Sequence, residues 1–267
     1  MNEPLSLAHV EFSINEGLAT LTFNRPDRLN SFNSEMHEEV KRVFEIIKQD
    51  KSIRCLLITG NGRGFCAGQD LSDRAVSATN DIPDLGASLE KNYNPLIRNI
   101  TGLPMPVICA VNGVAAGAGA NIALACDLVL AAKSASFIQS FNKLGLIPDS
   151  GGTWMLPKLV GYARAMRLCL LGEKVKADEA LHMGMITQVC DDDLLLEQAT
   201  TLGAQLAKAP TKGLGLIKQA IQVSANNSLD QQLELERELQ GIAGRSADYQ
   251  EGAAAFMQKR EPNYTGE

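Results

Sequence analysis

Two glycine-rich stretches constrain the fold of this chain more than any other feature: RGFCAGQDL at residues 63–71 and NGVAAGAGAN at residues 112–121. Each follows an apolar run that is typical of a buried strand, and we expect each to open into a helix. Glycine and alanine at such a junction leave backbone N–H groups uncovered, because no bulky side chain screens them. Two N–H groups that converge from separate turns form a site for a developing oxyanion, so the pattern predicts chemistry at a carbonyl group.

Two other interpretations of these turns stay open from local sequence alone. Tight packing of a helix against a strand also requires glycine and alanine at the junction. Nucleotide binding by a GxGxxG turn is the second alternative, but Gly113, Gly117 and Gly119 do not have that spacing. The second stretch therefore does not predict a dinucleotide site.

The order of elements predicts an α/β fold. Residues 10–23 carry a hairpin signal, and an apolar face from Met36 to Ile47 predicts a helix capped by Asn33 or Ser34. Strand, turn and helix then alternate, which is typical of parallel strands. We divide the chain into an α/β core over residues 1–195 and a helical oligomerisation region over residues 196–267. A loop is predicted over residues 72–88, and helices over residues 85–100, 118–126, 162–171, 176–183, 192–208, 210–225, 229–242 and 246–258.

Composition argues against several classes of function, including nucleic-acid binding, membrane insertion and metal binding. The chain has 267 residues, a formal net charge of −6 and a sequence pI of about 5.2, which disfavours nucleic-acid binding because phosphate recognition needs a concentrated basic surface. No apolar run approaches the ~20 residues of a membrane span, and the first residues lack a signal-peptide pattern. Six cysteines without a CxxC pair indicate reduced thiols in the cytoplasm. Three scattered histidines offer no metal-ligand spacing, so we expect no metal.

A third motif, LGLIPDSGGTW at residues 144–154, contains the carboxylate of Asp149. As a helix N-cap this carboxylate would have a lowered pKa and would be a poor base. In an apolar pocket its pKa would instead be raised, and it could transfer protons near neutral pH. The flanking residues Leu146, Ile147, Pro148 and Trp154 favour the second alternative.

Together these motifs resemble the crotonase (enoyl-CoA hydratase/isomerase) superfamily. The resemblance covers residues 65–71, 112–119, 126–127 and 145–153, with Arg25, Asn30 and Phe32 near the start. It implies a ββα spiral core with a C-terminal helical trimerisation region, assembled as a homotrimer or a dimer of trimers. It also implies acyl-CoA substrates, with coenzyme A as part of the substrate and no separate cofactor. The thioester oxygen would lie between the backbone N–H groups of Ala67 and Ala118.

The chain departs from the family's hydratases, which use two glutamates. Asn121 and Phe141 occupy the matching positions, so hydration by two carboxylates is not expected. Asp149 matches the acidic base of isomerases that shift a double bond. Residues 69–74, 141–154 and 259–262 are most similar to members that rearrange an epoxidised aromatic acyl-CoA. The alternatives are 3-enoyl- to 2-enoyl-CoA isomerisation, aryl-CoA dehalogenation, and a catalytically silent or RNA-binding role.

The resemblance also implies contacts to the CoA and acyl groups. Arg25 and Arg28 would meet the pyrophosphate, the backbone of residues 69–71 the adenine, and Lys259 or Arg260 the 3′-phosphate held by a neighbouring subunit. The alternative for each basic residue is a solvated surface charge. The full predicted set is Arg25, Arg28, Cys66, Gln69, Asp70, Leu71, Gly117, Asn121, Phe141 and Lys259.

Overall fold

The computed structural model describes residues 7–72 and 84–267. Its larger sheet contains six strands, and after the antiparallel β1–β2 hairpin every neighbouring pair is parallel. The predicted hairpin and parallel layer are therefore confirmed. In spatial order the strands are β1 (Val10–Asn15), β2 (Leu18–Phe23), β3 (Cys55–Gly60), β5 (Val107–Val111), β7 (Leu128–Ala132) and β10 (Gln188–Cys190).

A second sheet of four short strands contains both glycine-rich stretches. Its strands, in spatial order, are β4 (Gly64–Cys66), β6 (Val114–Ala116), β8 (Ser136–Ile138) and β9 (Lys174–Lys176). The sequence predicted a helix after the first stretch, and this prediction is wrong for the described residues. No helix begins between residue 63 and residue 72, where the described segment ends. The chain instead stays extended beside Phe32, whose N–H donates to Gly68 O at 2.7 Å and whose carbonyl accepts from Asp70 N at 2.8 Å.

The helices agree closely with the sequence pattern. Asn33 caps the first helix, because its Oδ1 accepts from Met36 N at 2.9 Å. The loop predicted over residues 72–88 lies mostly outside the described residues, and its last four are helical. The helices are α1 (Ser34–Gln49), α2 (Leu85–Ser88), α3 (Asn94–Gly102), α4 (Ala118–Leu124), α5 (Gly152–Val160), α6 (Tyr162–Leu171), α7 (Ala177–His182), α8 (Leu195–Ala207), α9 (Thr211–Ser224), α10 (Leu229–Ala243) and α11 (Ala247–Gln258). A wider, π-helical turn, Leu89–Tyr93, joins α2 to α3.

The hydrophobic core lies between the larger sheet and the helices packed on it. Every residue of β3 and β5 is buried, as expected for strands covered on both faces. Helix α8 also packs on this sheet through Ala199, Gly203 and Ala207, all buried. A β-carbon on Gly203 would lie only 2.7 Å from Leu18 Cδ1, so glycine permits the close approach. The division of the chain at residue 195 stays a prediction.

Polar contacts attach the later helices to this core. The side chain of Lys218 on α9 is 8% exposed, and its Nζ lies 2.8 Å from Asp127 Oδ2 and 3.0 Å from Ile100 O. Arg54, which precedes β3, donates to Ala209 O at 2.6 Å and Tyr264 O at 2.9 Å. The chain after α11 is thereby held at the start of β3, at the opposite end of that strand from the second sheet.

Candidate active site

The two glycine-rich turns pack directly against each other. A β-carbon on Gly119 would lie 2.1 Å from Cys66 O, and one on Gly113 would lie 2.2 Å from Arg63 O. A β-carbon on Gly68, which has a φ of +90°, would be 3.3 Å from Ala118 N. Tight packing therefore requires these glycines, and the same packing brings the backbone of residue 68 to the start of α4.

The first predicted N–H donor is corrected by this geometry. Ala67 N–H donates to Leu29 O at 2.9 Å, so it is not available to a ligand. Because Gly68 O and Asp70 N both point at Phe32, the N–H of Gln69 between them points to the other side of the extended chain. Gln69 N has no acceptor in the part of the chain that the structure describes. We therefore assign the first donor to Gln69 in place of Ala67.

The second predicted donor, Ala118, is the first residue of α4, where N–H groups have no partner inside the helix. Gly117 before it has φ +53° and ψ −127°, a conformation that favours glycine, and its own N–H donates to Ile138 O at 2.8 Å. Phe141 is buried, and its Cζ lies 3.8 Å from the position of a Gly117 β-carbon. The aromatic ring therefore borders the turn that carries the Ala118 N–H.

Asp149 does not cap α5 with its side chain. The N-cap is Gly151, in the left-handed region with φ +76°, and Gly152 N donates to the backbone oxygen of Asp149 at 2.9 Å. The Asp149 carboxylate is half-buried and accepts the Ser150 hydroxyl at 2.9 Å. Two apolar neighbours that were expected to enclose it, Ile147 and Trp154, are 79% and 49% exposed, so they do not form a dry pocket within one chain.

Asn121 joins Asp149 to the second turn. It lies on α4 one helical turn after Ala118, is fully buried, and donates from Nδ2 to the backbone oxygen of Asp149 at 2.8 Å. Its Oδ1 accepts from Gln139 Nε2 at 2.8 Å. The predicted substrate contact of Asn121 is therefore corrected, because both polar atoms of its amide serve the protein. Its role is to hold the Asp149 backbone beside the Ala118 turn.

The sequence profile named Enoyl-CoA hydratase/isomerase matches residues 13–267. This chain belongs to the enoyl-CoA hydratase/isomerase family. Its fold is accordingly the crotonase fold, which confirms the fold class expected from the motifs. A solved structure from Streptomyces coelicolor, described as a putative enoyl-CoA hydratase, superimposes with a TM-score of 0.92 at 33% identity, covering 100% of this chain and 98% of that one.

Two curated relatives cover almost the whole chain. The 1,2-epoxyphenylacetyl-CoA isomerase of Escherichia coli K12 is 58% identical over 260 residues, which are 97% of this chain and 98% of that protein. A probable enoyl-CoA hydratase of Rhodobacter capsulatus is 43% identical over 98% of this chain and 100% of that protein. Family membership thus rests on the entire fold and on both turns.

Two residues predicted to bind CoA in this family stabilise the first turn. Arg25 donates from one guanidinium nitrogen to Asp70 Oδ2 at 3.0 Å and from another to Ser31 O. The Ser72 hydroxyl, and then Arg25, hold the pKa of the buried Asp70 carboxyl below its usual range. A pyrophosphate at Arg25 would have to compete with this carboxylate. The predicted contacts of Arg25 and Asp70 with CoA stay predictions.

The Cys66 side chain is also turned away from a ligand. It is fully buried, and burial raises the pKa of its thiol to about 12, although the Gly68 N–H at 3.4 Å from Sγ opposes the shift. Cys66 is therefore a neutral thiol at physiological pH, and only its backbone borders the second turn.

The remaining predicted contacts stay predictions. Arg28, Leu71 and Lys259 are exposed, and Lys259 follows α11 in a left-handed conformation.

Tyr93 and Gln139 belong to the site but carry no motif in the sequence. Tyr93 donates its hydroxyl to Gln69 Oε1 at 3.0 Å, and Gln139 binds Asn121. The sequence motifs indicate only the residues inside them, so these two residues could be found only from the structure.

In residues 7–72 and 84–267, no group of histidine, cysteine and carboxylate side chains has the arrangement of a metal site, and no helix is long and apolar enough to span a bilayer.

Proposed function

We propose that this chain isomerises 1,2-epoxyphenylacetyl-CoA to the seven-membered oxepin-CoA. The observation that carries the proposal is a single carboxylate, Asp149, fixed through Asn121 beside a pair of backbone N–H groups at Gln69 and Ala118. The 58% identity to the E. coli isomerase supports the choice of acyl group.

The two N–H groups bind and polarise the thioester oxygen in this proposal. Their donation stabilises negative charge on that oxygen, so the adjacent carbon becomes more acidic. Each such donor is worth about 3–4 kcal/mol in a transition state. Asp149 takes the proton from this carbon and an enolate is held between Gln69 and Ala118.

The carbon–carbon bond that the epoxide shares with the six-membered ring breaks and the ring double bonds shift, which leaves the oxygen in a seven-membered ring. The enolate charge extends into this ring, and the same carboxylate returns the proton to a ring carbon. No atom is gained or lost, so one proton-carrying group is sufficient. We propose that no metal or organic cofactor takes part, apart from the CoA of the substrate.

The buried amide of Asn121 favours isomerisation over hydration. Adding water to a double bond needs a group that activates that water. Asp149 is joined to the second turn, whereas the Asp70 carboxylate of the first turn is paired with Arg25. Asn121 is fully buried, donates to Asp149 O and accepts from Gln139, so it is not exposed to a substrate water. A 3-enoyl- to 2-enoyl-CoA isomerase is the second candidate, because that double-bond shift also needs one carboxylate and the same oxyanion donors.

The test replaces Asp149 by asparagine and measures turnover of 1,2-epoxyphenylacetyl-CoA without added metal or cofactor. Asp149→Asn keeps the side-chain shape but removes the base, so kcat is expected to fall by about 10²–10⁴-fold. Binding of phenylacetyl-CoA, which cannot rearrange, is expected to stay nearly unchanged. Asp193→Asn, at an exposed aspartate, is the matched control and should retain full activity.

Three outcomes separate the candidates. Rapid turnover of the epoxide that depends on Asp149 supports the proposal. Faster turnover of 3-hexenoyl-CoA transfers the assignment to the double-bond isomerase. Full epoxide turnover by Asp149→Asn contradicts the role of this carboxylate, and rapid hydration of 2-butenoyl-CoA contradicts the role given to Asn121.

We also propose that the protein is a cytoplasmic homotrimer or dimer of trimers. Large apolar side chains on the later helices support an assembly, since Ile221 of α9 is 68% exposed and Phe256 of α11 is 82% exposed in a single chain. A neighbouring copy could also bring Lys259 to a bound CoA phosphate. The free cysteines of the chain are compatible with a reducing compartment.

A further inference from the structure

We infer that Tyr93 is a positioning residue for the reaction, because its hydroxyl holds Gln69 so that the Gln69 N–H faces the thioester oxygen. The inference rests on the proposed function. Tyr93 lies outside both glycine turns, 24 positions after Gln69 in the sequence. It reaches the site from the helical turn that joins α2 to α3.

The backbone on both sides of Gln69 is already fixed from one direction. Phe32 N–H donates to Gly68 O at 2.7 Å, and Asp70 N–H donates to Phe32 O at 2.8 Å. The side chain of Gln69 leaves the backbone between these two hydrogen bonds and is half-buried. A contact that holds this side chain therefore further limits rotation of the Gln69 backbone.

The hydroxyl of Tyr93 supplies this second constraint. It donates to Gln69 Oε1 at 3.0 Å, and Gln69 Nε2 in turn donates to Asp70 O at 3.3 Å. The Tyr93 ring is wholly buried, with its centroid 4.6 Å from the edge-on ring of His37 and 6.1 Å from that of Phe32. A ring packed in this way has little freedom to move its hydroxyl, so Gln69 is held by a rigid donor.

The helical turn before α3 explains how Tyr93 comes to face inward. Leu89–Tyr93 is wider than an α-helical turn, and Asn94 N–H donates to Leu89 O, five residues back. One extra residue in a turn rotates every following side chain by about 100° relative to a continuous α-helix. Such wide turns are frequent at functional sites. Here the turn places an aromatic hydroxyl against the donor residue.

The position of the Gln69 N–H matters because an oxyanion donor acts only at hydrogen-bond distance, about 2.7–3.1 Å from the charged oxygen. A displacement of about 1 Å at a reacting group can cost ~100-fold in rate. Removing the Tyr93 hydroxyl leaves the N–H present but less well fixed. The loss should therefore fall on kcat and leave substrate affinity almost unchanged.

The first test is Tyr93→Phe, assayed with 1,2-epoxyphenylacetyl-CoA. We expect kcat to fall by about 10- to 100-fold, with KM changed by less than about twofold and the far-UV spectrum unchanged. Tyr162→Phe, at a tyrosine that is 74% exposed, is the matched control and should leave both constants unchanged. Unaltered kcat in Tyr93→Phe would overturn the inference.

A double-mutant cycle separates positioning from general packing. Gln69→Met keeps the backbone N–H and the side-chain length but removes the acceptor for Tyr93. If Tyr93 acts through Gln69, adding Tyr93→Phe to Gln69→Met produces no further loss of kcat. Losses that multiply in the double variant would show that Tyr93 acts by another route.

A spectroscopic readout distinguishes failure of this inference from failure of the proposed function. Phenylacetyl-CoA with carbon-13 at the thioester carbonyl is bound to each variant, and the carbonyl stretch is measured. The native protein is expected to lower this frequency, and Tyr93→Phe to lower it less. No shift with the native protein contradicts the proposed oxyanion site itself. Equal shifts in the two proteins contradict only the role of Tyr93.

Discussion

Glu39 shows how a single buried carboxylate can organise the start of the larger sheet. It lies on α1, and its two oxygens accept the backbone N–H groups of Ala8 and His9 at 2.9 Å and of Val10 at 3.2 Å. Burial raises the pKa of this carboxyl, but the hydrogen bonds from Ala8 and His9 outweigh that effect and bring it below the ordinary value of 4.5. The ionised form is therefore the one that stabilises the fold.

The pH dependence of stability follows from the direction of this shift. A carboxyl whose pKa is lowered by folding contributes stability above its unfolded value, and loses it as pH falls through the folded value. Glu39→Gln should cost about 1–2 kcal/mol near pH 7, because the amide NH2 replaces one of the two oxygens that accept these backbone N–H groups. Thermal unfolding should show this difference shrinking below about pH 4.5. Glu38→Gln, at the exposed neighbouring residue, is the control. If the stability difference between the native protein and Glu39→Gln does not change with pH, the role assigned to ionised Glu39 is contradicted.

Individual site residues were predictable only where chemistry and local conformation coincide. Asp149 and Ala118 stand in motifs whose glycines determine the local backbone conformation around them. Ala67 also stands in a motif, but its N–H donates to the carbonyl of Leu29, which is distant in sequence and could not be predicted from the motif. Arg25 and Asp70 illustrate the same limit. Each has the charge expected of a ligand contact, but their ion pair forms only after the chain folds back.

Among the elements, α4 and β4 have the closest contact at the candidate site. Gly119, the second residue of α4, leaves no room for a β-carbon, which would lie 2.1 Å from Cys66 O and 2.8 Å from Cys66 Cβ. Real β-carbons do not approach a backbone oxygen so closely. Any side chain at this position must push the two turns apart.

Gly119→Ala should therefore destabilise the protein by about 3 kcal/mol. The corresponding decrease in the thermal midpoint is roughly 6–12 °C, and turnover should fall because both oxyanion donors lie on the displaced turns. Gly102→Ala is the matched control, since a β-carbon there meets nothing within 4 Å and α3 gains a better helix former. Equal melting temperatures for the two variants would show that the turns can separate freely.

The long elements were predictable and the short ones were not. Helix α6 has the predicted bounds, α11 begins one residue later than predicted, and α1 begins after the predicted Asn33 cap. Their apolar periodicity extends over almost three turns or more, which makes it recognisable. Strands β4, β6 and β8 contain three residues each, too few to show alternation. Their pairing comes from the second sheet, which joins parts of the chain that are far apart in sequence.

At the scale of the whole molecule, a single chain leaves unusually apolar surfaces uncovered. Phe256 and Met257 on α11 are 82% and 80% exposed, and Ile217 and Ile221 on α9 also face outward. By contrast, the inner side of α9 is fixed to the core by the half-buried Lys218–Asp127 pair. Helix α9 is therefore firmly attached, and its outer apolar side chains remain for a neighbouring copy.

Light scattering coupled to size-exclusion chromatography should give a mass of three or six times the 28.7 kDa of one chain. The physical reason is that large exposed apolar side chains lower the free energy when a second copy covers them. The mass should persist on dilution into the low micromolar range. A mass of one chain at all concentrations contradicts the proposed assembly.

The approach of Gly152 to Asn121 restricts how this chain could diverge. A β-carbon at position 152 would lie 2.3 Å from Asn121 Nδ2, so position 152 can gain a side chain only if residue 121 becomes smaller or moves. A longer acidic side chain at position 121 must also displace Gln139. Substitutions at these sites should covary among descendants of this sequence, and a change of reaction type would require several simultaneous replacements along its mutational path.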